Sequence, residues 1–119
     1  MSRSSRRDPL TYLLHAREAS ELVLRFTTGR TFEEYSNDPL LRSAVERQFE
    51  IVGEALNQLH RLDPEVAARI PELANIISFR NILIHGYAQV DDGIVWRATI
   101  DRLPPLIAVL RSLTDELDR

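Results

Sequence analysis

Apolar residues recur at three- and four-residue steps through a long central segment of the chain, from Leu41 to Leu59. This period is typical of one face of an α-helix, and Asp38 followed by Pro39 is typical of a helix N-terminus. The segment therefore predicts a helix of about five turns. Its apolar positions are Leu41, Ala44, Val45, Val52, Ala55, Leu56 and Leu59.

The same period recurs in three further segments, so the sequence predicts an all-α fold. These segments are residues 8–28, residues 71–86, and the stretch from residue 91 or 92 to near the C-terminus. A short helix is expected between the second and third helices, and a loop between the first and second is expected to fold Phe32 and Tyr35 onto the core. Brief connections favour an antiparallel bundle of four main helices plus one short helix.

Two features predict departures from regular helix packing. Gly53, in the middle of the second helix, costs about 1 kcal/mol against Ala, and such a residue commonly permits the close approach of another helix. Pro104 and Pro105 lie within the last helix, where each removes an amide donor and clashes with the preceding turn. A kink or short break is therefore expected near residues 100–103.

Length and composition favour one soluble domain. The chain has 119 residues, of which 44% are hydrophobic and 28% charged, and no apolar run approaches the roughly 20 residues of a membrane span. Residues 8–119 are expected to form a single helical domain behind a disordered basic tail, residues 1–7. Because no secretory signal is visible, the sequence predicts a cytoplasmic protein without membrane association.

A compact polar set interrupts the apolar third helix. At about 100° per residue, Arg80, Asn81 and His85 fall within a sector roughly 140° wide if the helix persists that far, and Gly86 is expected to end it. Arginine binds phosphate oxygens, histidine transfers protons near neutral pH, and asparagine orients either by hydrogen bonding. There is no Cys and no nearby pair of residues with metal-ligand spacing. The set therefore favours phosphoryl chemistry without a metal or another cofactor.

The formal net charge of −3 counts against tight non-specific binding of nucleic acid. Spacing alone also allows a structural explanation, in which the His caps a helix end and Arg80 is an ion-pair partner. Glu54 is a candidate for that partner and would hold the guanidinium in place, although the sequence alone favours a solvated Glu. His15 and His60 have no partner pattern around them and are expected on helix surfaces.

The motif also carries a family resemblance. Arg80, four intervening residues and His85, with Asn81 after the Arg and Tyr87 two residues after the His, resemble the Arg-x4-6-His signature of the HEPN superfamily. The form Arg-Asn-x-x-x-His-Gly-Tyr is similar to that of the HepT-like toxins, which work beside a minimal nucleotidyltransferase antitoxin. The resemblance covers most of the chain. It extends to Phe32, Tyr35, residues 52–55, and Trp96 through Leu103 and Pro104.

The resemblance implies a toxin that acts as a metal-independent endoribonuclease. Such cleavage needs a base for the ribose 2′-OH, an acid for the leaving 5′-oxygen, and a cation for the phosphate. One chain supplies one motif His, so a two-fold homodimer would bring two copies of Arg80 and His85 into one cleft, where the resemblance also places the site. His85 would transfer protons, Arg80 would stabilise the phosphate, and Asn81 would orient both. The products would be a 2′,3′-cyclic phosphate and a 5′-hydroxyl.

The resemblance gives Tyr87 a different role. It would be the residue to which the nucleotidyltransferase antitoxin attaches AMP, and the added charge and bulk would exclude RNA. The implied partners are RNA, the antitoxin and a second copy of the chain, with any larger assembly with the antitoxin left open. A non-catalytic helical interaction or nucleotide-binding module is the competing hypothesis. An inhibitor or antitoxin subunit is less favoured, because no DNA-binding element is visible.

Overall fold

A computed structural model describes residues 8–86 and 90–119, and within these residues the protein is all-helical, as predicted. The tail expected at residues 1–7 and the proposed acceptor Tyr87 lie outside the described residues. In this part of the chain, no helix combines the length and the apolarity needed to cross a membrane. The helices are α1 (Pro9–Thr27), α2 (Phe32–Ser36), α3 (Pro39–Leu62), α4 (Pro64–Ala67), α5 (Leu73–His85), α6 (Asp92–Arg97) and α7 (Leu103–Leu117), and a π-helical segment (Ala98–Arg102) joins the last two.

Asp–Pro pairs start three of the helices. Pro9, Pro39 and Pro64 occupy the first turns of α1, α3 and α4, where the missing amide of proline removes no helical hydrogen bond. The carboxylates of Asp38 and Asp63 accept backbone N–H groups three residues later, at 3.1 and 3.2 Å. These caps begin the long helix and the short helix where the sequence predicted them.

The segment predicted as a loop over residues 29–37 contains a helix, α2. Its first turn is closed by a capping box, in which Thr31 accepts the backbone N–H of Glu34 and the Glu34 carboxylate accepts that of Thr31. Tyr35 is fully buried, as expected, whereas Phe32 is 44% exposed and lies beside the ring of Trp96, with ring centroids 6.4 Å apart.

The motif helix begins later than the sequence predicted. Pro71 was the expected start, but α5 begins at Leu73. Glu72 has a φ of 60°, in the left-handed region, so a right-handed helix cannot run through it. The start is therefore set by the backbone conformation of Glu72.

The predicted interruption of the last helix is present as the π-helical segment. The N–H of Leu103 donates to the carbonyl of Ala98, five residues earlier, instead of to a carbonyl four residues earlier. Pro104 and Pro105 follow directly and have no N–H to continue the regular α-helical pattern. The wider, π-helical turn therefore lies immediately before the two prolines, whose missing N–H groups predicted the interruption.

The core has two parts, and both depend on α3. In one part, α3 packs with α1, α4 and α7; in the other, it packs with α2, α5, α6 and the start of α7. Fully buried residues of the first part include Leu13, Leu56, Leu59 and Leu110, and those of the second include Tyr35, Val45, Val95 and Leu103. This packing fixes the positions of α3 and α5 relative to each other.

Candidate functional site

Helix α5 carries the polar set on a single continuous helix. It extends to His85, so Arg80, Asn81 and His85 keep the helical spacing that the sequence predicted. Gly86 ends the helix, and its N–H donates to the carbonyl of Ile82 at 2.7 Å. Arg80 is half-buried, whereas Asn81 and His85 are exposed. The helix therefore presents a half-buried cation beside two exposed polar groups.

Helices α3 and α5 cross closely where Gly53 meets Arg80. A Cβ atom added to Gly53 would lie 2.2 Å from Cβ of Arg80 and 2.7 Å from its Cγ. These separations are far shorter than van der Waals contact, so only glycine fits without displacement of α5. The close approach predicted from Gly53 is confirmed, and the residue that occupies the space is the motif arginine.

The guanidinium of Arg80 is held from two sides. Its Nη2 donates to Oε1 of Glu54 at 2.6 Å, and its Nη1 donates to Oδ1 of Asn81 at 2.8 Å. The side chain of Arg80 is 25% exposed and that of Glu54 is 46% exposed, so the pair is less screened by solvent than a fully exposed ion pair. The contact between Glu54 and Arg80 considered from the sequence is therefore present.

Gln58 extends this set, although the sequence reasoning did not identify it. Its Nε2 donates to Oε2 of Glu54 at 3.1 Å, so both carboxylate oxygens of Glu54 are engaged. The sequence offered one indication, because Glu54 and Gln58 are four residues apart and such residues lie side by side on a helix. The result is a hydrogen-bonded series of four side chains: Gln58, Glu54, Arg80 and Asn81.

Arg80 keeps hydrogen-bonding capacity beyond these contacts. A guanidinium has five N–H donors, and Glu54 and Asn81 occupy two of them. Its Nε is buried and finds no hydrogen-bond partner among residues 8–86 and 90–119. Because Nε is inaccessible, the donors left for a ligand are the second N–H groups of Nη1 and Nη2 on a side chain that is 25% exposed, and a phosphate oxygen is a suitable acceptor for them. The site therefore fits an anionic group.

His85 lies apart from this series, at the end of α5. It is exposed, and within the described part of the chain its side chain makes no hydrogen bond to Arg80 or Asn81. The structure thus brings Arg80, Asn81 and Glu54 into contact and leaves the imidazole open to solvent. Tyr87 belongs to the residues that the structure does not describe.

The other two histidines of the chain lie outside this series. His15 and His60 are exposed on α1 and α3, as predicted. Among the described residues, no group of three or more His, Asp or Glu side chains is arranged to hold a metal ion. The polar series on α3 and α5 is therefore the candidate site that the geometry supports.

Comparison with known proteins identifies a family and several relatives. The family model described as "Ribonuclease HepT-like" matches residues 16–113. "Probable ribonuclease HepT" of Thermococcus cleftensis is 37% identical over 99 residues, which cover 80% of this chain and 86% of that protein. "Putative RNase TTE0752" of Caldanaerobacter subterraneus subsp. tengcongensis is 33% identical over 98 residues, covering 82% of this chain and 87% of that protein.

A longer relative contains the matching region as one part. "Gamma-glutamylcyclotransferase and putative RNase MJ0434" of Methanocaldococcus jannaschii is 32% identical over 114 residues. The match covers 96% of this chain, which spans about half, 51%, of that protein. No solved structure matches the chain significantly.

Proposed function

Because the chain belongs to the HepT-like ribonuclease family, we propose that it is an endoribonuclease whose active site contains Arg80, Asn81 and His85. The observation that carries this proposal is the state of the Arg80 guanidinium. It is oriented by Glu54 and Asn81, its side chain is 25% exposed, and Nη1 and Nη2 each keep one N–H beyond these contacts. A fixed cation with unsatisfied donors suits the phosphate of an RNA strand.

The proposed reaction is a metal-independent transesterification. A base removes the proton of the ribose 2′-OH, the 2′-oxygen attacks the adjacent phosphorus, and the bond from phosphorus to the 5′-oxygen breaks as an acid protonates that oxygen. The products are a 2′,3′-cyclic phosphate and a 5′-hydroxyl. Arg80 stabilises the negative charge that develops on the phosphate, and Asn81 keeps the guanidinium in position. His85, which is exposed, transfers the protons.

Two proton-transfer groups are needed at once, and the motif of one chain has one histidine. A two-fold homodimer supplies a second His85 and a second Arg80 to the same cleft. One imidazole then acts as base while the other acts as acid. The dimer is therefore part of the proposed function.

We further propose that the protein is the toxin of a toxin–antitoxin pair. A minimal nucleotidyltransferase antitoxin would attach AMP to Tyr87, two residues after His85 in the sequence. The bulk and negative charge of AMP would then exclude the RNA phosphate. Incubation with ATP and the cognate transferase, followed by peptide mass spectrometry, tests this step. A fully active transferase that leaves Tyr87 unmodified would contradict it.

The ribonuclease proposal is tested with labelled RNA in the presence of EDTA. We expect the purified protein to cleave RNA and the His85→Ala variant to be slower by about 10²–10⁴-fold, the usual contribution of a general acid or base. His60→Ala is the matched control, since it removes an exposed histidine from α3. End-group analysis should show 2′,3′-cyclic phosphates.

Three results would contradict the ribonuclease proposal. They are equal activity of the wild type and the His85→Ala variant, cleavage that requires an added metal ion, and RNA binding without cleavage by clean, unmodified protein. The last result would favour the non-catalytic binding module.

A further inference from the structure

Two aromatic side chains line a small recess formed by α2, α6 and the π-helical segment. We call it the aromatic recess, and its volume is about 310 Å³. Phe32 and Ile100 are exposed there, so large apolar side chains remain open to solvent. Exposed apolar residues grouped around a recess are typical of a binding surface. The residues that line it are Phe32, Gly93, Trp96, Arg97, Ile100 and Asp101.

The ring of Trp96 is held by the core and also reaches the recess. Its centroid lies 5.3 Å from that of Tyr35, which is fully buried, with 36° between the two ring planes. Trp96 itself is half-buried, and Phe32 lies against it with the ring planes 56° apart. Bases of single-stranded RNA stack on aromatic side chains of this kind. The recess therefore offers an aromatic platform whose position is fixed by the core.

Arg97 and Asp101 give the recess one positive and one negative group. Both are exposed, and neither has an ion-pair partner among residues 8–86 and 90–119. The phosphate backbone of RNA would be attracted by the arginine and repelled by the aspartate, so the pair gives it little net attraction. The edge of a base, in contrast, offers both donors and acceptors. The pair therefore suits a base better than the backbone.

Among the four bases of RNA, guanine matches this pair most completely. Its O6 and N7 are neighbouring acceptors, which an arginine fork binds with two hydrogen bonds. Its N1–H and 2-amino group are neighbouring donors, which the two oxygens of one carboxylate accept together. Cytosine offers the carboxylate a single donor group, and adenine and uracil offer the arginine no two neighbouring acceptors. The combination of Arg97 and Asp101 therefore favours guanine.

The aromatic recess adjoins the motif helix. Arg97 and Asp101 also line an apolar groove between α5 and α7, to which α5 contributes Ile82, the residue after Asn81. We propose that the aromatic recess binds one guanine base of the RNA strand, which stacks on Trp96 and meets Arg97 and Asp101 at its edges. The proposal rests on the proposed function, because it assigns the recess to the same RNA substrate. Cleavage then occurs at a fixed position along the strand relative to a guanine.

Binding is tested by the fluorescence of Trp96, because the chain has one tryptophan. The protein is the His85→Ala variant, so that the RNA stays intact, and the probes are short uridine oligonucleotides with or without a single guanine. We expect the guanine to quench the fluorescence and to raise the affinity by about 10–100-fold, as a stacked and hydrogen-bonded base allows. Inosine, which lacks the 2-amino group, should recover only part of this gain.

Further substitutions in the same protein separate the stacking contact from the edge contacts. Phe32→Ala should weaken binding of the guanine oligonucleotide by about 5-fold, because it removes one aromatic wall. Asp101→Asn and Arg97→Gln should each lower the preference for guanine by about 10-fold, because each disrupts one pair of hydrogen bonds to the base. Leu24→Ala is the matched control, since Leu24 is an exposed apolar residue of α1 outside the recess. Circular dichroism establishes that each variant is folded.

The outcomes separate the recess from the chemistry. If the wild type cleaves RNA while guanine neither quenches Trp96 nor improves binding, the recess proposal is overturned and the ribonuclease proposal stands. Guanine-dependent quenching that Asp101→Asn weakens supports the recess; if the wild type then cleaves no RNA, only the ribonuclease proposal is contradicted. A preference for guanine that Asp101→Asn leaves unchanged overturns the assigned contacts. Fluorescence that changes with protein concentration but not with guanine shows that a second copy covers the recess, which also overturns the proposal.

Discussion

At the scale of single residues, the position of Arg80 depends on side chains from two helices. Glu54 on α3 accepts one guanidinium N–H, Asn81 on α5 accepts another, and Gln58 holds the free oxygen of Glu54. A long arginine side chain has many rotamers, and each of these contacts reduces their number. For the proposed binding of phosphate, the cation is therefore already oriented, which would reduce the entropy lost on binding.

Replacement of Glu54 should reduce RNA cleavage without removing it. We expect Glu54→Ala to lower kcat by about 10–100-fold, because a hydrogen bond to a charged group contributes about 1.5–3 kcal/mol. KM for RNA should change less, since the positive charge of Arg80 remains. Glu50→Ala is the control: Glu50 also lies on α3 but pairs with Arg47 instead of Arg80. Turnover of the folded Glu54→Ala protein at the wild-type rate would remove Glu54 from the site.

The close contact between Gly53 on α3 and Arg80 on α5 leads to a second prediction. Alanine in an open helix stabilises by about 1 kcal/mol relative to glycine, but a Cβ here would lie 2.2 Å from Cβ of Arg80. We expect Gly53→Ala to lower the free energy of unfolding by about 1–3 kcal/mol and to reduce cleavage, because α5 must move. Urea unfolding measures the first effect.

Ser43→Ala is the control for this variant, since Ser43 is exposed on the same helix and its replacement adds no atom to the contact with α5. A Gly53→Ala protein that is more stable than the wild type would contradict the close crossing.

At the scale of helices, the sequence predicted the long helices, whose apolar residues repeat over several turns, and missed features confined to a single turn. The helix α3 was evident because its buried face recurs over 24 residues, whereas α2 has five residues and too little length for a period. The spacing of Thr31 and Glu34 is that of a capping box, and this sequence pattern would have identified the start of α2. The left-handed backbone conformation of Glu72, after which α5 begins, could not be predicted from the sequence, because it is uncommon for a residue other than glycine.

The junction between α3 and α6 predicts a dependence of stability on pH. Burial raises the pKa of Glu46 above its usual 4.5, and the negative charges of Asp92 and Glu50 raise it further, against the opposing effect of Arg42. Between 4.5 and the raised pKa, the folded protein binds more protons at this residue than the unfolded chain does. The contribution of Glu46 to stability is therefore complete below pH 4.5 and is lost as the pH rises through the raised pKa.

Glu46→Gln removes this dependence. At pH 7 the variant should melt about 2 °C above the wild type, and the difference should disappear as the pH is lowered below the usual pKa of a glutamate. Glu18→Gln, on an exposed position of α1, is the control. Thermal melts across this pH range measure the effect. A Glu46→Gln protein that is less stable than the wild type at pH 7 would show that the carboxylate is stabilising there.

At the scale of the whole molecule, the sequence indicated three of the four members of the polar series, Glu54, Arg80 and Asn81, but not Gln58 or the surface beside them. Glu54 was considered as a partner of Arg80 because it follows Gly53, which predicted the close approach of another helix. The apolar groove between α5 and α7 instead combines residues from distant segments, such as Phe49, Ile82 and Leu103, and exists only once α3, α5 and α7 have packed. Hydrophobic periodicity predicts that each helix buries one face, but it does not predict where packed helices leave a groove between them.

The proposed dependence on two copies of His85 belongs to the whole assembly and can be measured by mixing chains. Wild-type and His85→Ala proteins are combined in equal amounts and allowed to exchange subunits. If base and acid come from different chains, dimers with one His85 are inactive, and cleavage should fall to about one quarter of that of the same total amount of wild type. If each His85 acts alone, cleavage should fall to about one half.

Two further mixtures separate subunit exchange from simple dilution. An equal mixture with His60→Ala should retain full activity, because that variant keeps both motif residues. An equal mixture with an inert, unrelated protein should give about one half, since that protein neither cleaves RNA nor enters wild-type dimers. If differently tagged chains show complete exchange while His85→Ala still reduces cleavage only to one half, one imidazole suffices, and the second proton-transfer group must be sought elsewhere in the same chain.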